Sequence, residues 1–409
     1  MRERDFDIVL FGASGFTGRI VVGFLKAACE ESSFKWAVSG RNAEKIRAIL
    51  AKHGLENIPV VVADSEDYNS LDRLASSTQV VVTTVGPYAL YGSKLVEACA
   101  KNGTDYCDLT GEVQWMRKMI DQWEGEARKQ QCRMIHCCGF DSIPSDLGLA
   151  WFQKRAKEET GSYFKHVSMR LLVAKGGLSG GTLASMFNLR EEIANDRSIG
   201  KMLKNPYMLN PDPDFKGPDG GDLKWLKEDE LKGGWLAPFV MEIINTRIVR
   251  RSHALKGFPY GEDFTYNEAI YCGKGFSGKF NAWKSILPLA IIRLAKPGSL
   301  LYRLVRWVLP KQGQGPSEKK RKAGYFKLEF IGVSPDGEKY RAVLRGDSDP
   351  GYTATAAMLA GSAVTLLENR ENKDISDGFI TPAVAFNTDQ QAKIMDRAGM
   401  ILEWQGKLK

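Results

Sequence analysis

The chain is predicted to be a two-domain α/β protein, a parallel sheet wound with helices followed by an α+β domain whose sheet is mixed or antiparallel. Three observations lead there. Short apolar runs alternate with amphipathic stretches over residues 1–149, the rhythm of βαβ units. Beyond residue 149 that rhythm gives way to strands with polar alternation and no regular crossovers. And 409 residues are too many for one compact core, so a first domain of 1–149 and a second of 150–409 are expected.

The first element is the apolar run Phe6-Asp7-Ile8-Val9-Leu10-Phe11, which reads as a strand buried on both faces. It ends in Gly12-Ala13-Ser14-Gly15-Phe16-Thr17-Gly18, and a helix over 19–30 follows with Ile20, Val21, Phe24, Leu25 and Ala28 at helical spacing. Glycines there let backbone approach a phosphate, and the positive end of the next helix holds the anion. The spacing is Gly-x-x-Gly-x-x-Gly, not the standard Gly-x-Gly-x-x-Gly. Its place between a strand and a helix still points to a Rossmann-type dinucleotide site, with Gly12, Ser14, Gly15, Phe16, Thr17 and Gly18 on the cofactor.

Strands are then expected at 34–38, 58–63, 79–85, 105–109 and 132–138, and helices at 43–52, 68–76, 91–102 and 112–130. In the second domain, strands are expected at 167–173, 264–272, 325–332 and 340–345, with a helix at 183–195. Residues 206–234 are rich in Pro, Gly and Asp and read as an irregular excursion. A strong helix at 352–369 is placed to pack back on the first domain.

The end of the second strand decides the cofactor. An NAD site puts an acid there for the ribose hydroxyls, whereas an NADP site puts a cation near the 2′-phosphate. The chain offers Ser39, Gly40, Arg41 and Asn42, with Lys45 one helical turn on, so NADP(H) is predicted. Asp64 ends the third strand and either faces the adenine or caps the following turn. Ligands of open α/β sheets bind outside the carboxyl ends of the strands, which places Gly86 and Pro87 near the nicotinamide half.

Reduction by hydride needs a proton source or an oxyanion stabiliser. By position the catalytic candidates are Tyr88, Tyr91, Asp141 and Ser142. No Tyr-x-x-x-Lys pair is present, and Tyr91-Gly92-Ser93-Lys94 has the wrong spacing for one. Asp141, Ser142 and Ser145 also fit the cap of the next helix, with Pro144 in its first turn. His136 sits mid-strand and reads as a core histidine. Seven cysteines without a Cys-x-x-Cys and four histidines without ligand spacing predict no metal and a reducing, cytoplasmic setting, and no signal peptide is expected ahead of the first strand. A net charge of +8 suits anionic cofactors, acyl carriers or membrane surfaces, and no basic block interleaved with aromatics points to nucleic acid.

Residues 283–311 depart from the pattern. Two apolar arms meet at Lys296-Pro297-Gly298, with Arg293, Arg303 and Arg306 among them, the aromatics Trp283, Tyr302 and Trp307, and no acid. Charge interrupts the segment too often for a bilayer span, and its composition suits an interfacial helical hairpin. The alternative is a helical pair that covers the second sheet or makes a homodimer contact.

Several of these stretches resemble a known family. Gly12 to Gly18, Val85-Gly86-Pro87-Tyr88, Leu109-Thr110-Gly111-Glu112 and the run from Cys138 to Gly148 are similar to the saccharopine dehydrogenase-like oxidoreductases. Asn245-Thr-Arg-Ile-Val-Arg-Arg-Ser252 and Gly313-Gln-Gly-Pro-Ser317 resemble the trans-acting enoyl reductase branch, which acts in bacterial glycolipid and polyketide lipid synthesis. The resemblance covers nearly the full chain. It implies an NADP-binding domain, a mixed α+β domain, and reduction of an α,β-unsaturated acyl chain carried as a thioester. Similar eukaryotic members are associated with lipid droplets, so a peripheral membrane or droplet location is implied beside the cytoplasm. Two other readings stay open. One is a saccharopine-type imine or amino-acid dehydrogenase, for whose charged substrate Arg247, Arg250 and Arg251 could serve. The other is a protein that binds NADPH at lipid surfaces without turnover.

Overall fold

Continuous apolar runs do become strands buried on both faces. The computed structural model describes residues 3–176, 179–212, 214–308, 313, 315–372 and 374–408. Gly177 of the loop after the 167–173 strand, residues 309–311 of the cationic segment, and Gln312 and Gln314 lie outside the described residues.

The strands are β1 (Phe6–Phe11), β2 (Trp36–Gly40), β3 (Val60–Val62), β4 (Thr78–Thr83), β5 (Asp105–Cys107), β6 (Arg133–Ile135), β7 (His166–Lys175), β8 (Lys227–Glu228), β9 (Trp235–Ala237), β10 (Thr265–Tyr271), β11 (Tyr325–Val333), β12 (Lys339–Gly346), β13 (Gly378–Ile380) and β14 (Met400–Lys407). The helices of the first half are α1 (Phe16–Ser32), α2 (Ala43–Lys52), α3 (Tyr68–Ser76), α4 (Tyr88–Tyr91), α5 (Ser93–Asn102), α6 (Val113–Lys129) and α7 (Ile143–Thr160). Those that follow are α8 (Gly180–Asn195), α9 (Arg197–Met202), α10 (Glu242–Leu255), α11 (Gly275–Leu294), α12 (Leu300–Val308), α13 (Glu318–Lys322), α14 (Thr355–Glu368), α15 (Pro382–Ala385) and α16 (Thr388–Arg397).

The chain divides into two compact units. The first comprises Met1–Ile143, Gln312–Ser317 and Gly351–Gly399, and the second Pro144–Lys311, Glu318–Pro350 and Met400–Lys409. The division therefore falls at Ile143, inside the stretch read as one domain from 1 to 149, and the chain re-enters the first unit at Gln312 and again at Gly351.

The first unit holds a parallel sheet in the order β13-β6-β5-β4-β1-β2-β3. The order in which successive strands are added reverses between β1 and β4, with every strand still parallel, the arrangement of doubly wound dinucleotide folds. Ile8, Val9 and Leu10 are fully buried, and α1 turns Val21, Val22 and Leu25 inward. Helix α14 is buried at every residue from 355 to 366 and packs against α1 and across β4 and β5. A helix apolar all round needs such a covered place. β13 was not expected; only three residues long, it carries no period, and it joins the sheet beside β6. The expected helix at 91–102 divides in two at Gly92, where a Cβ would meet the Trp115 ring at 2.7 Å and the Tyr88 carbonyl oxygen at 2.9 Å.

The second unit holds a mixed sheet in the order β14-β12-β11-β7-β10-β9-β8, in which only β7 and β10 run parallel among the described strands. β14, likewise unexpected, completes its edge against β12. The irregular excursion has its carbonyls held by α10. Arg247 donates to Leu203 O at 3.0 Å and pairs with Asp222, Arg250 donates to Pro206 O at 3.2 Å and to Asp219 at 2.6 Å, and Arg251 donates to Leu209 O at 2.5 Å. All three guanidinium groups are buried, so these partners are what makes their burial tolerable.

Candidate cofactor and active site

The crevice between the carboxyl ends of β1 and β4 is where such a sheet receives its ligand. Gly12 leaves β1 with φ +96°, a conformation that a side chain strains, and a Cβ there would also lie 2.7 Å from Val85 Cγ2. Its N–H donates to Ser39 O at 2.9 Å, and Gly15 N–H closes the turn on Gly12 O at 2.9 Å. A Cβ on Gly18 would sit 2.1 Å from that same Gly12 oxygen. Only glycine lets the first turn of α1 rest on the loop.

Helix α1 has Gly15 at its N-cap, so no side chain caps it, and its first turn carries no acid. Its positive end is therefore left for an anion such as a pyrophosphate. The Phe16 ring packs edge-on to Tyr352 at 4.8 Å, and Arg19 lies 5.6 Å over that ring. At the end of β2, Ser39 is fully buried and its Oγ has no hydrogen-bond partner among the described residues. Arg41 is exposed beside it, and Asn42 caps α2 by accepting from Lys45 N at 2.8 Å. An orphaned hydroxyl, an exposed cation and no acid across Ser39 to Asn42 fit a 2′-phosphate. Asp64 accepts from Glu66 N at 3.0 Å, the turn-capping arrangement.

Across the crevice, Thr84 Oγ1 donates to Gly12 O at 3.3 Å, and the chain continues through Gly86 and a cis Pro87 into α4. Glu112, buried, accepts from the backbone N–H groups of Tyr88 at 2.7 Å and Ala89 at 3.0 Å. The Tyr88 hydroxyl donates to Thr83 O and accepts from Leu109 N, both at 3.1 Å, and burial pushes its ionisation far up. It thus ties β4 to the loop after β5. Tyr91 is half-buried, and its hydroxyl has no protein partner among the described residues.

After β5 and β6 a second network forms. The Asp108 carboxylate is fully buried and accepts from Tyr106 Oη at 2.9 Å, Thr110 N at 3.1 Å and Cys137 N at 3.1 Å, and pairs with His136 Nδ1 at 2.7 Å. These bonds hold Cys137 at φ +61° and turn the chain into the 139–142 loop. A Cβ on Gly139 would meet Leu109 at 2.6 Å and Asp141 Oδ2 at 2.9 Å. Burial, with a smaller push from the Asp108 charge, raises Asp141 to about 8, which favours the protonated form of this half-buried carboxyl at neutral pH. Ser142 is buried with its hydroxyl against Cys137 Sγ. The site therefore gathers the glycine turn, the 84–88 loop and the 139–142 loop. Asp108 and Glu112 are not in the expected set, although Asp108 directly follows β5 and Glu112 directly precedes α6.

Residues 8–132 match the family model described as the saccharopine dehydrogenase NADP binding domain, and NADP(H) is the cofactor. The chain is 36% identical to a trans-acting enoyl reductase of Mycobacterium tuberculosis, over 98% of each chain. It is also 36% identical to one from Mycobacterium leprae over 94% of each, and 34% identical to one from Mycobacterium ulcerans over 96% of each. Among solved structures, apo saccharopine dehydrogenase (L-Glu forming) from Saccharomyces cerevisiae shares the fold, with a TM-score of 0.54 at 11% identity over 98% of this chain and 99% of that one. The chain belongs to the trans-acting enoyl reductase family of saccharopine dehydrogenase-like, NADP-dependent oxidoreductases.

Proposed function

We propose that the protein reduces the carbon–carbon double bond of an α,β-unsaturated acyl thioester of lipid or polyketide type at the expense of NADPH. What carries this substrate class is the match to relatives named trans-acting enoyl reductase over nearly the whole chain. When bound, NADPH supplies the hydride. Gly12, Gly15 and Gly18 hold the pyrophosphate with the α1 terminus, and Ser39 and Arg41 take the 2′-phosphate. Gly86, Pro87 and the 139–142 loop frame the nicotinamide half. Asp141, protonated, hydrogen-bonds the thioester oxygen as charge develops there and delivers a proton to the α-carbon. Tyr91 is the second donor within this scheme, while Tyr88 and Ser142 position the two loops. A lipid-linked substrate also supports a cytoplasmic protein working at the surface of a membrane or droplet.

Against a saccharopine-type reaction stands the state of the α10 arginines. That substrate's carboxylates need uncommitted cations, and Arg247, Arg250 and Arg251 are buried on the chain's own carbonyls and aspartates. NADPH consumption is expected with a panel of enoyl thioesters, and none with no substrate. NADP reduction by saccharopine, or NADPH binding without turnover on any thioester, would overturn the proposal.

Arg41→Ala should weaken NADPH binding by about 10- to 100-fold, the worth of one charge-assisted contact, and leave NADH binding unchanged. Titration calorimetry with both cofactors reads this. The pH dependence of kcat/KM should fall as pH rises through about 8, because Asp141 is then losing its proton. In Asp141→Asn that limb should vanish, with the rate at least about 100-fold lower. The same raised value makes the folded state hold a proton that the unfolded chain releases, so stability declines as pH climbs from the ordinary carboxyl range to about 8.

A further inference from the structure

Helix α11 has two apolar faces. Through Ala282 and Ile286 it is buried against Ala237, with Trp235 and Ile270 packed around them. On the other side Phe276, Phe280, Trp283, Leu287, Ile291 and Leu294 are 40 to 87% exposed. At 3.6 residues per turn those six positions fall on a single stripe. Leu300, Leu304 and Trp307 of α12 add a second exposed stripe of the same kind. Isolated apolar side chains are ordinary on a surface, but a row of this length marks an interaction site.

Charge decides what covers it. From Gly275 to Val308 the sequence has Lys279, Lys284, Arg293, Lys296, Arg303 and Arg306, and no acid. Lys279 and Lys284 flank the α11 stripe on either side, with Nζ 4.6 Å over the Trp235 ring and 4.8 Å over the Phe280 ring. Arg306 reaches Glu191 at 3.5 Å, which leaves the segment strongly cationic. A second copy docked through a two-fold axis would bring this cationic patch against itself. An anionic phospholipid surface instead pairs each cation while it takes up the apolar row. Indoles prefer that boundary, and Trp283, packed edge-on to the exposed Trp225 at 4.9 Å, and Trp307 lie along it. Among the described residues no helix is long and apolar enough to cross a membrane.

We propose that the exposed stripe of α11 seats the protein on an anionic phospholipid surface, the helix lying in the headgroup plane with its apolar row buried and its lysines at phosphate level. This sharpens the lipid-surface setting proposed above but does not depend on enoyl reduction, since neither cofactor nor thioester enters its test.

The full chain is sedimented with phosphatidylcholine vesicles that contain or lack phosphatidylglycerol. Binding is expected only to the anionic vesicles and should weaken as salt is raised. Lys279→Gln with Lys284→Gln should lower it about 25-fold, at about 5-fold per cation. Leu287→Glu with Leu294→Glu should lower it at least about 10-fold, since both side chains are exposed and only the bound state buries them. NADPH affinity, unchanged in both variants, shows that they are folded. Protein that stays in solution with anionic vesicles, or binding indifferent to both variants, would overturn the proposal. So would a dimer broken by Leu287→Glu and Leu294→Glu in a protein that binds no vesicles, an outcome that assigns the stripe to a second copy.

Discussion

Gly18→Ala is expected to lower NADPH affinity by at least about 100-fold, close to loss of cofactor binding in an ordinary assay. The added Cβ would be placed 2.1 Å from Gly12 O, well inside contact distance. The obstructing atom is backbone, so no side chain can swing aside. The α1 terminus must lift off the turn, at a cost of about 3 kcal/mol. That energy comes out of the geometry that presents the helix end to the pyrophosphate, and about 3 kcal/mol corresponds to roughly 100-fold in Kd. Gly23→Ala is the control, because nothing lies within 4 Å of a Cβ at that position of the same helix. It should bind NADPH as the parent does and unfold at the same temperature or higher. Titration of both variants with NADPH checks the pair.

Asp108→Ala should be the most damaging single change to stability. It removes the acceptor of three donors and the partner of His136, all of them buried. Leaving buried donors unsatisfied costs about 1–3 kcal/mol each, so a loss above about 4 kcal/mol is expected, a large share of a typical domain's stability of about 5–15 kcal/mol. Denaturant melts should show an early transition, or expression should fail. Asp108→Asn keeps one acceptor oxygen and should fall between the two. If Asp108→Ala melts within about 1 kcal/mol of the parent, the carboxylate does not hold the turn into the 139–142 loop.

The parallel sheet was legible because fully buried strands are written as unbroken apolar runs. Helices 43–52 and 68–76 were found to the residue, and in each a side chain marks the start: Asn42 accepts from Lys45 N, and Asp67 accepts from Asn69 N. β13 and β14 went unseen because strand pairing is set by neighbours distant in sequence. The glycine turn was legible for a different reason, since its backbone demands are local. Asp108 and His136 stand 28 residues apart, and nothing within either stretch announces the other. Asp141 was marked by position alone; its raised value comes from burial and from Asp108, which only the folded chain reveals. The α10 arginines mislead in the opposite direction. A run such as Arg250-Arg251 suggests an exposed binding patch, yet both are spent on Pro206, Leu209 and Asp219 of the excursion. The apolar row of α11 was sensed in the stretch 283–311, but the helix begins at Gly275, which brings Phe276 and Phe280 into the stripe.

The most direct test follows the transferred hydrogen. The protein is incubated with NADPH dideuterated at the nicotinamide C4 and an enoyl thioester in ordinary water, and the acyl product is examined by mass spectrometry and NMR. One deuterium at the β-carbon of a saturated chain, with an unlabelled hydrogen at the α-carbon, is the predicted result. Deuterium at the carbonyl carbon, or an acyl chain that stays unsaturated while the protein binds NADPH, would contradict enoyl reduction by this chain.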